Sequence, residues 1–294
     1  MNYFLTADIG GTKLATALFD ENGILIMSHE IPSEKEDGEK LFYSLVESFE
    51  KLCIDSEISS KEISALAVGL PGIVESELGI AIYQNNLPWR NFPLKKKLTE
   101  VFPNTTIMID NDVYMATWGE YVERGSGTGT FVYLTLSTGI SCCTINGGQY
   151  MRGTGMAGEI GFALTNADGL TLEKSVSGLG AEHKGSIAFN NPDITFKEIM
   201  DYYYEGDDRA VSIVSEVVSA LAKEIQHILL FADPTTLVLG GGIFNKHPLL
   251  VTAVRKEVAS YFTHPLFNEK EKCIQESKFK GEAGLRGALA RCIQ

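Results

Sequence analysis

Cysteines at metal-binding spacing, clustered histidines and long apolar runs are all missing from this sequence. The five cysteines, Cys53, Cys142, Cys143, Cys273 and Cys292, are odd in number and form no CxxC or CxC pair. Such spacing argues against a disulfide framework and suits buried thiols in a reducing compartment. The five histidines, His29, His183, His227, His247 and His264, are scattered, so no zinc site is expected. No apolar run approaches the roughly 18 residues that cross a bilayer. The first residues lead straight into a strand pattern without a basic region or cleavage site. A cytoplasmic protein is expected. Positive charge is also scarce: 25 Lys and Arg against 38 Asp and Glu leave a net charge of −13. That balance argues against a nucleic-acid surface and against docking on anionic lipid. It is compatible with a bound nucleotide, because backbone N–H groups and Mg²⁺ can hold phosphate.

Glycine, by contrast, is plentiful, at 29 of 294 residues. With 44% hydrophobic and 21% charged residues the chain reads as globular, without a compositional case for disorder. Its length predicts two domains of roughly 120 to 170 residues. Tyr3 to Ile9, Leu14 to Asp20 and Ile24 to Ile31 read as strands of a meander, and Asp37 to Cys53 has the spacing of an amphipathic helix. Ile63 to Leu70 reads as a buried strand ended by Pro71-Gly72, Phe92 to Phe102 as a short helix and Thr106 to Ile109 as a strand. Phe131 to Leu136 and Ile140 to Ile145 repeat the opening hairpin, which suggests two similar α/β domains. Helices are predicted over Phe196 to Tyr204, Asp208 to Phe231, Leu249 to Phe262 and Gly281 to Arg291, with a strand at Thr236 to Leu239.

The chain is organised around Met108 to Glu120. Asn111 and Asp112 sit where a strand hands over to a helix, a place where side chains converge and backbone N–H groups are unsatisfied. One carboxylate there can orient while another takes a proton. The alternative is that Asp110 or Asp112 merely caps the helix. Asp8-Ile9-Gly10-Gly11-Thr12-Lys13 places a carboxylate at a strand end before a turn that lets backbone approach a polyphosphate. Thr12 can donate to a phosphate oxygen, and Asp8 can hold Mg²⁺ through water. An ordinary β-turn is the alternative. Thr135 to Ser141 has the same turn chemistry, and Gly240-Gly241-Gly242 would let a flat ligand lie on backbone. Gly153 to Gly158 matches GxGxxG, but no buried strand feeds it and no ribose-binding acid follows, so it is set aside as a dinucleotide site. It leads into Glu159, a candidate for binding hydroxyls or else a loop acid.

These pieces together resemble the ROK family of sugar kinases and repressors, part of the actin-like superfamily. The resemblance runs in order through Asp8 to Lys13, Ala67-Val68-Gly69-Leu70-Pro71-Gly72, Asn86-Leu87-Pro88-Trp89, Asn111-Asp112, Gly158-Glu159-Ile160-Gly161 and Gly240-Gly241-Gly242. It implies an α/β fold of two actin-like (ribonuclease H-like) domains with ATP and sugar in the cleft between them. The expected domains are 1–122, joined by the C-terminal helix 281–294, and 123–280. By the same resemblance Asp112 is the general base, and Gly72, Asn86, Asn111, Asp112, Glu159, Phe162 and Glu173 face the sugar. Asp8, Gly10, Gly11, Thr12, Lys13, Thr138 and Gly139 fall on the phosphate and Mg²⁺ side, and Gly241 and Gly242 on the adenosine side. A homo-oligomer such as a dimer is implied, with ATP and a small sugar as ligands.

Three departures matter. Phe162 stands where most members carry a histidine that binds zinc and sugar. The cysteine-rich zinc loop is replaced by Thr165-Asn166-Ala167-Asp168-Gly169-Leu170-Thr171, so no zinc is expected. Ser137 replaces a usual glycine, a small change. With a strand expected from Tyr3 onwards, the N-terminal helix-turn-helix of the repressor branch is not expected. An aromatic face in place of the histidine could stack on a second sugar ring and leave the anomeric position open. The expected reaction is ATP-dependent phosphorylation at the 6-hydroxyl of a glucosyl unit, most simply in a β-glucoside such as cellobiose. Glucokinase or fructokinase activity is the alternative, and an idle sugar sensor the non-enzyme one. A sensor need not keep Asp112 or the phosphate turns. Asp112→Asn should leave sugar binding intact and cut turnover on the order of 10²-fold or more. Steady-state kinetics beside sugar titration checks this, and near-normal turnover would remove Asp112 from the role of base.

Overall fold

The computed structural model describes residues 2–165 and 169–293. The chain forms two compact units, Met1–Ser126 with Glu282–Gln294, and Gly127–Gly281. In the first unit β1 (Tyr3–Ile9), β2 (Lys13–Phe19) and β3 (Leu25–Pro32) make an antiparallel meander. Then come α1 (Gly38–Asp55), β4 (Ile63–Leu70), β5 (Ile73–Glu75), β6 (Ile80–Tyr83), β7 (Arg90–Phe92), α2 (Leu94–Val101), β8 (Thr106–Asn111) and α3 (Asp112–Glu123). The main sheet has the order β3-β2-β1-β4-β8, with β1, β4 and β8 parallel.

The sequence explains this layering. All of β4 except Ser64 is buried, the near-continuous apolar run of a central parallel strand covered on both faces. Edge strand β3 instead alternates exposed and half-buried positions. In α1, Leu41, Leu45, Phe49 and Leu52 are fully buried at helical spacing, and the Asp37 carboxylate caps the helix by accepting from the Glu39 and Lys40 N–H groups. The small sheet β5-β6-β7 has no counterpart in the apolar pattern. Its strands are two to three residue pairs long, too short for an alternation signal. Phe92 ends β7 and Pro93 precedes α2, so that helix starts two residues later than its apolar pattern suggests.

The C-terminal helix, Ala283–Cys292, belongs to this unit and packs on α3, β1 and β4. Its approach to α3 is backbone on backbone. A Cβ placed on Gly119 would sit 2.8 Å from the Gly287 Cα, and one on Gly287 would overlap the Met115 carbonyl oxygen. One turn earlier, Gly284 lies directly against the Asp8 carboxylate.

The second unit contains β9 (Thr130–Leu136), β10 (Ile140–Asn146), β11 (Gln149–Tyr150), α4 (Leu172–Val176), α5 (Gly178–Ala188), α6 (Phe196–Glu205), α7 (Asp208–Ala232), β12 (Thr236–Gly240), α8 (Gly242–Lys246), α9 (Pro248–Tyr261) and β13 (Ile274–Glu276). Its sheet order is β11-β10-β9-β12-β13. Meander, parallel fourth strand and parallel fifth strand recur as in the first unit. The core rests on α7, whose Ile213, Val214, Val217, Leu221 and Ile225 are buried, and which ends at Asp233 in a left-handed conformation before Pro234. Helix α5 is absent from the elements expected of the sequence: Gly178, Gly180 and Gly185 lower helix propensity and leave no apolar stripe. Among the described residues no helix is long and apolar enough to cross a membrane.

Gly287→Val should destabilise the fold by about 1–3 kcal/mol if α3 can shift to admit it, and by more if it cannot. Equilibrium unfolding in denaturant reads this as a lowered midpoint, and an unchanged midpoint would contradict the backbone contact.

Candidate active site

The register of the first unit puts its polar residues in one row. Asp8 pairs with Gly69 and Gly69 with Asp110 across the three parallel strands. β8 runs two residues beyond the expected end, through Asp110 and Asn111, and α3 begins at Asp112. The helix cap is Asn111, neither of the aspartates: its Oδ1 accepts from Val113 N–H at 2.9 Å and Tyr114 N–H at 3.3 Å. Its Nδ2 donates to the Gly72 carbonyl at 2.9 Å, tying α3 to the turn after β4. Asp112 follows as the first helical residue, half-buried, and its Oδ1 also accepts from the Val113 N–H at 2.9 Å. Asp110 is buried and accepts from the Asn111 N–H at 2.8 Å.

The turn after β1 is closed by Gly10 N–H donating to the Lys13 carbonyl at 2.8 Å. The N–H groups of Gly11 and Thr12 donate to no acceptor among the described residues. Two adjacent unsatisfied N–H groups form an anion-binding concavity. Gly11 abuts Asn86, whose Cβ would lie 2.7 Å from a Cβ on Gly11. The Lys13 ammonium is paired with Glu30 of β3 at 2.6 Å, with both side chains more than half exposed.

The Asp8 carboxylate makes no hydrogen bond or ion pair among the described residues, and it packs on Gly284. It keeps a partial opening to solvent, yet the protein around it is dense enough that burial, opposed only by the Lys13 charge, raises its pKa to about 6. An unpaired strand-end carboxylate beside free N–H donors suits a hydrated Mg²⁺, which takes one or two carboxylates plus phosphate oxygens. Gln84 is a residue that sequence reading misses. It is fully buried behind Gly72, with Nε2 donating to the Ile73 carbonyl at 3.3 Å and Oε1 without a partner. No motif distinguishes it from its polar neighbours.

In the second unit the turn after β9 repeats the pattern. Ser137 N–H donates to the Gly139 carbonyl at 2.8 Å, and the N–H groups of Thr138 and Gly139 donate to no acceptor among the described residues. Glu173, at the start of α4, reaches this turn: its Oε2 would lie 2.5 Å from a Cβ on Gly139 and 3.4 Å from one on Gly161. Burial raises the Glu159 pKa, and the Glu173 charge adds to it, so the two glutamates lie in one electrostatic neighbourhood. Phe162, on the short turn after Glu159, is 70% exposed. GxGxxG at Gly153–Gly158 follows a two-residue strand and leads into a single 3₁₀ turn, without a βαβ unit. Gly241, at φ 90°, lies against the backbone of Leu136, a conformation and approach that a side chain would block.

A cavity of about 350 Å³ joins Ser137 and Thr138 to Gly242, with Leu179 and Glu182 of α5, Phe196 and Lys197 of α6, and Lys246 and His247 completing the wall. The turn after β9 and the third glycine turn thus open on one space, within the size range of small-ligand sites. The α5 residues carry no sequence signal of this role because α5 itself carries none, and the α6 residues carry only the periodicity of a helix. His247 is hydrogen-bonded to the Tyr204 hydroxyl at 3.1 Å, and burial lowers its pKa. Among the described residues no three His, Cys, Asp or Glu side chains are grouped to hold a metal ion. Asn166, Ala167 and Asp168 of the substituted zinc loop lie outside the described residues.

The ROK family model matches residues 4–294. The chain belongs to the ROK family. Similar proteins include a glucokinase of Halalkalibacterium halodurans, 26% identical over 88% of this chain and 86% of the relative. A β-glucoside kinase of Listeria innocua is 25% identical over 98% and 96%. Among solved structures, a ROK family glucokinase from Streptomyces griseus in complex with glucose and AMPPNP superposes with a TM-score of 0.82 at 24% identity, covering 98% of this chain and 99% of that one. This ROK chain has the two-domain actin-like α/β fold of such kinases.

The raised Asp8 pKa has a signed consequence. The folded chain holds a proton on Asp8 between about pH 6 and pH 4 that the unfolded chain has released, so the charged form weakens stability above pH 6 and the penalty fades as pH falls. Asp8→Asn should raise the Tm in metal-free buffer at about pH 7.5, and the gain should shrink towards about pH 5. A gap that is constant, or grows on acidification, would contradict the assigned shift.

Proposed function

We propose that this ROK protein is a sugar kinase that transfers the γ-phosphoryl group of ATP to the 6-hydroxyl of a glucosyl unit, with a β-glucoside such as cellobiose as acceptor. Sugar kinase chemistry is supported by the family and its kinase relatives. The two turns with unsatisfied N–H groups are suited to polyphosphate, and the cavity beside Gly242 to adenosine. Mg²⁺ on Asp8 would neutralise phosphate charge. Asp112 is assigned as general base on the acceptor hydroxyl, with Asn111, Asn86 and Gly72 around the sugar on the first unit. Glu159 and Glu173 are assigned to sugar hydroxyls on the second. A sugar hydroxyl is a poor nucleophile, so positioning and phosphate stabilisation carry most of the rate, with proton removal completing the transfer.

The observation that carries the β-glucoside reading is Phe162. Its ring is 70% exposed at the end of the 3₁₀ turn that follows Glu159, where it offers a stacking face and no polar clamp. The glucokinase relative favours a second reading, phosphorylation of the free hexose. With purified protein and MgATP, kcat/KM should be higher for cellobiose than for glucose or fructose and unaffected by a zinc chelator. Phe162→Ala should cost cellobiose about fivefold or more and glucose little. A preference for free glucose would overturn the β-glucoside reading and leave the kinase assignment standing.

A further inference from the structure

We infer that Ser33 is the positioning residue that aims the first phosphate turn. This rests on the reading of Gly10 to Thr12 as a phosphate turn. Ser33 follows β3 directly and is half-buried. Its hydroxyl donates to the Gly10 carbonyl at 2.6 Å, and its own N–H donates to the Thr12 carbonyl at 3.1 Å. A trans peptide is planar, with its C=O and N–H pointing in opposite directions. Holding the Gly10 carbonyl on Ser33 therefore aims the Gly11 N–H the other way, and that N–H has no acceptor among the described residues.

The peptide needs such a brace. It joins two glycines, whose backbones meet little steric resistance to rotation. A rotated Gly10–Gly11 peptide would present a carbonyl oxygen where phosphate requires a donor. Ser33 is itself well placed to act. Pro32 is registered on Lys13 in the β2–β3 pair, and Glu34 accepts from the Glu36 and Asp37 N–H groups just before the Asp37 cap of α1. In the second unit the equivalent restraint comes from backbone, with Gly178 N–H donating to the Ser137 carbonyl at 3.2 Å and so orienting the Thr138 N–H. The first turn alone depends on a side chain that mutation can remove.

The test compares Ser33→Ala, Ser33→Thr and a remote control, Ser56→Ala, which loses a hydroxyl-to-carbonyl bond of the same 2.6 Å length at the end of α1. Binding of Mg·AMPPNP to the full chain is measured by calorimetry, alongside KM for MgATP, KM for the sugar the wild type phosphorylates, and Tm. Ser33→Ala should weaken Mg·AMPPNP binding and raise KM for MgATP about five- to tenfold, with KM for sugar unchanged. Its Tm should fall no further than that of Ser56→Ala, and Ser33→Thr should restore nucleotide affinity. Equal nucleotide affinity in Ser33→Ala and Ser56→Ala, or no rescue by threonine, would overturn the assignment. If the wild type binds Mg·AMPPNP but phosphorylates no sugar, the kinase reading fails while the binding comparison still decides Ser33. If it binds no Mg·AMPPNP, both fail.

Discussion

The parallel register of β1, β4 and β8 is the constraint on which the first unit depends. It sets Asp8, Gly69 and Asp110 in one row, with the acid proposed for Mg²⁺ and Asp110 two strand spacings apart, roughly 10 Å, and it places the start of α3, which carries the acid proposed as base, Asp112, two residues beyond Asp110. Gly69 between them carries no side chain, which lets the Asp112 Cα and the Met115 side chain come within contact distance, 3.4 Å from where a Cβ would be. The C-terminal helix then holds this row from one side. Gly287 admits the α3 backbone, and Gly284 closes on the Asp8 carboxylate. Small residues far along the chain thus fix the environment that raises the Asp8 pKa.

Both units use one topology to make the same device, a strand, a tight turn with outward N–H groups and a returning strand. The surroundings then diverge. The first turn is braced by the Ser33 side chain and touches Asn86, whereas the second is braced by Gly178 backbone and touches Glu173. In each unit a residue assigned to sugar is packed against a residue assigned to phosphate.

Long periodic stretches were legible in the sequence. β4 and α7 appear within a residue or so of the apolar patterns that signal them, and the repeated hairpin announced the duplicated sheet. The Asn111-Asp112 junction was also legible as a strand-to-helix handover, but which residue caps was not. Asn and Asp are equivalent caps by propensity, and only the second bond from Asn111 to Gly72, a tertiary contact, separates them. The β5–β7 sheet and α5 gave no signal, being respectively too short to alternate and too rich in glycine. That failure hid one wall of the cavity, since Leu179 and Glu182 lie on α5. Ser33 and Gln84 escaped for another reason. What sets them apart is hydrogen bonding across the fold, two bonds to the first turn for Ser33 and an unpartnered buried oxygen for Gln84.

The most direct test of the central claim is to identify the product. Purified protein is incubated with ATP, Mg²⁺ and cellobiose, and the mixture is followed by ³¹P NMR with carbon–phosphorus correlation. The account predicts ADP and a phosphomonoester on the 6-oxygen of the non-reducing glucose, formed in equal amounts. Release of ADP with free phosphate alone, or ATP left intact with cellobiose, glucose and fructose alike, would contradict it.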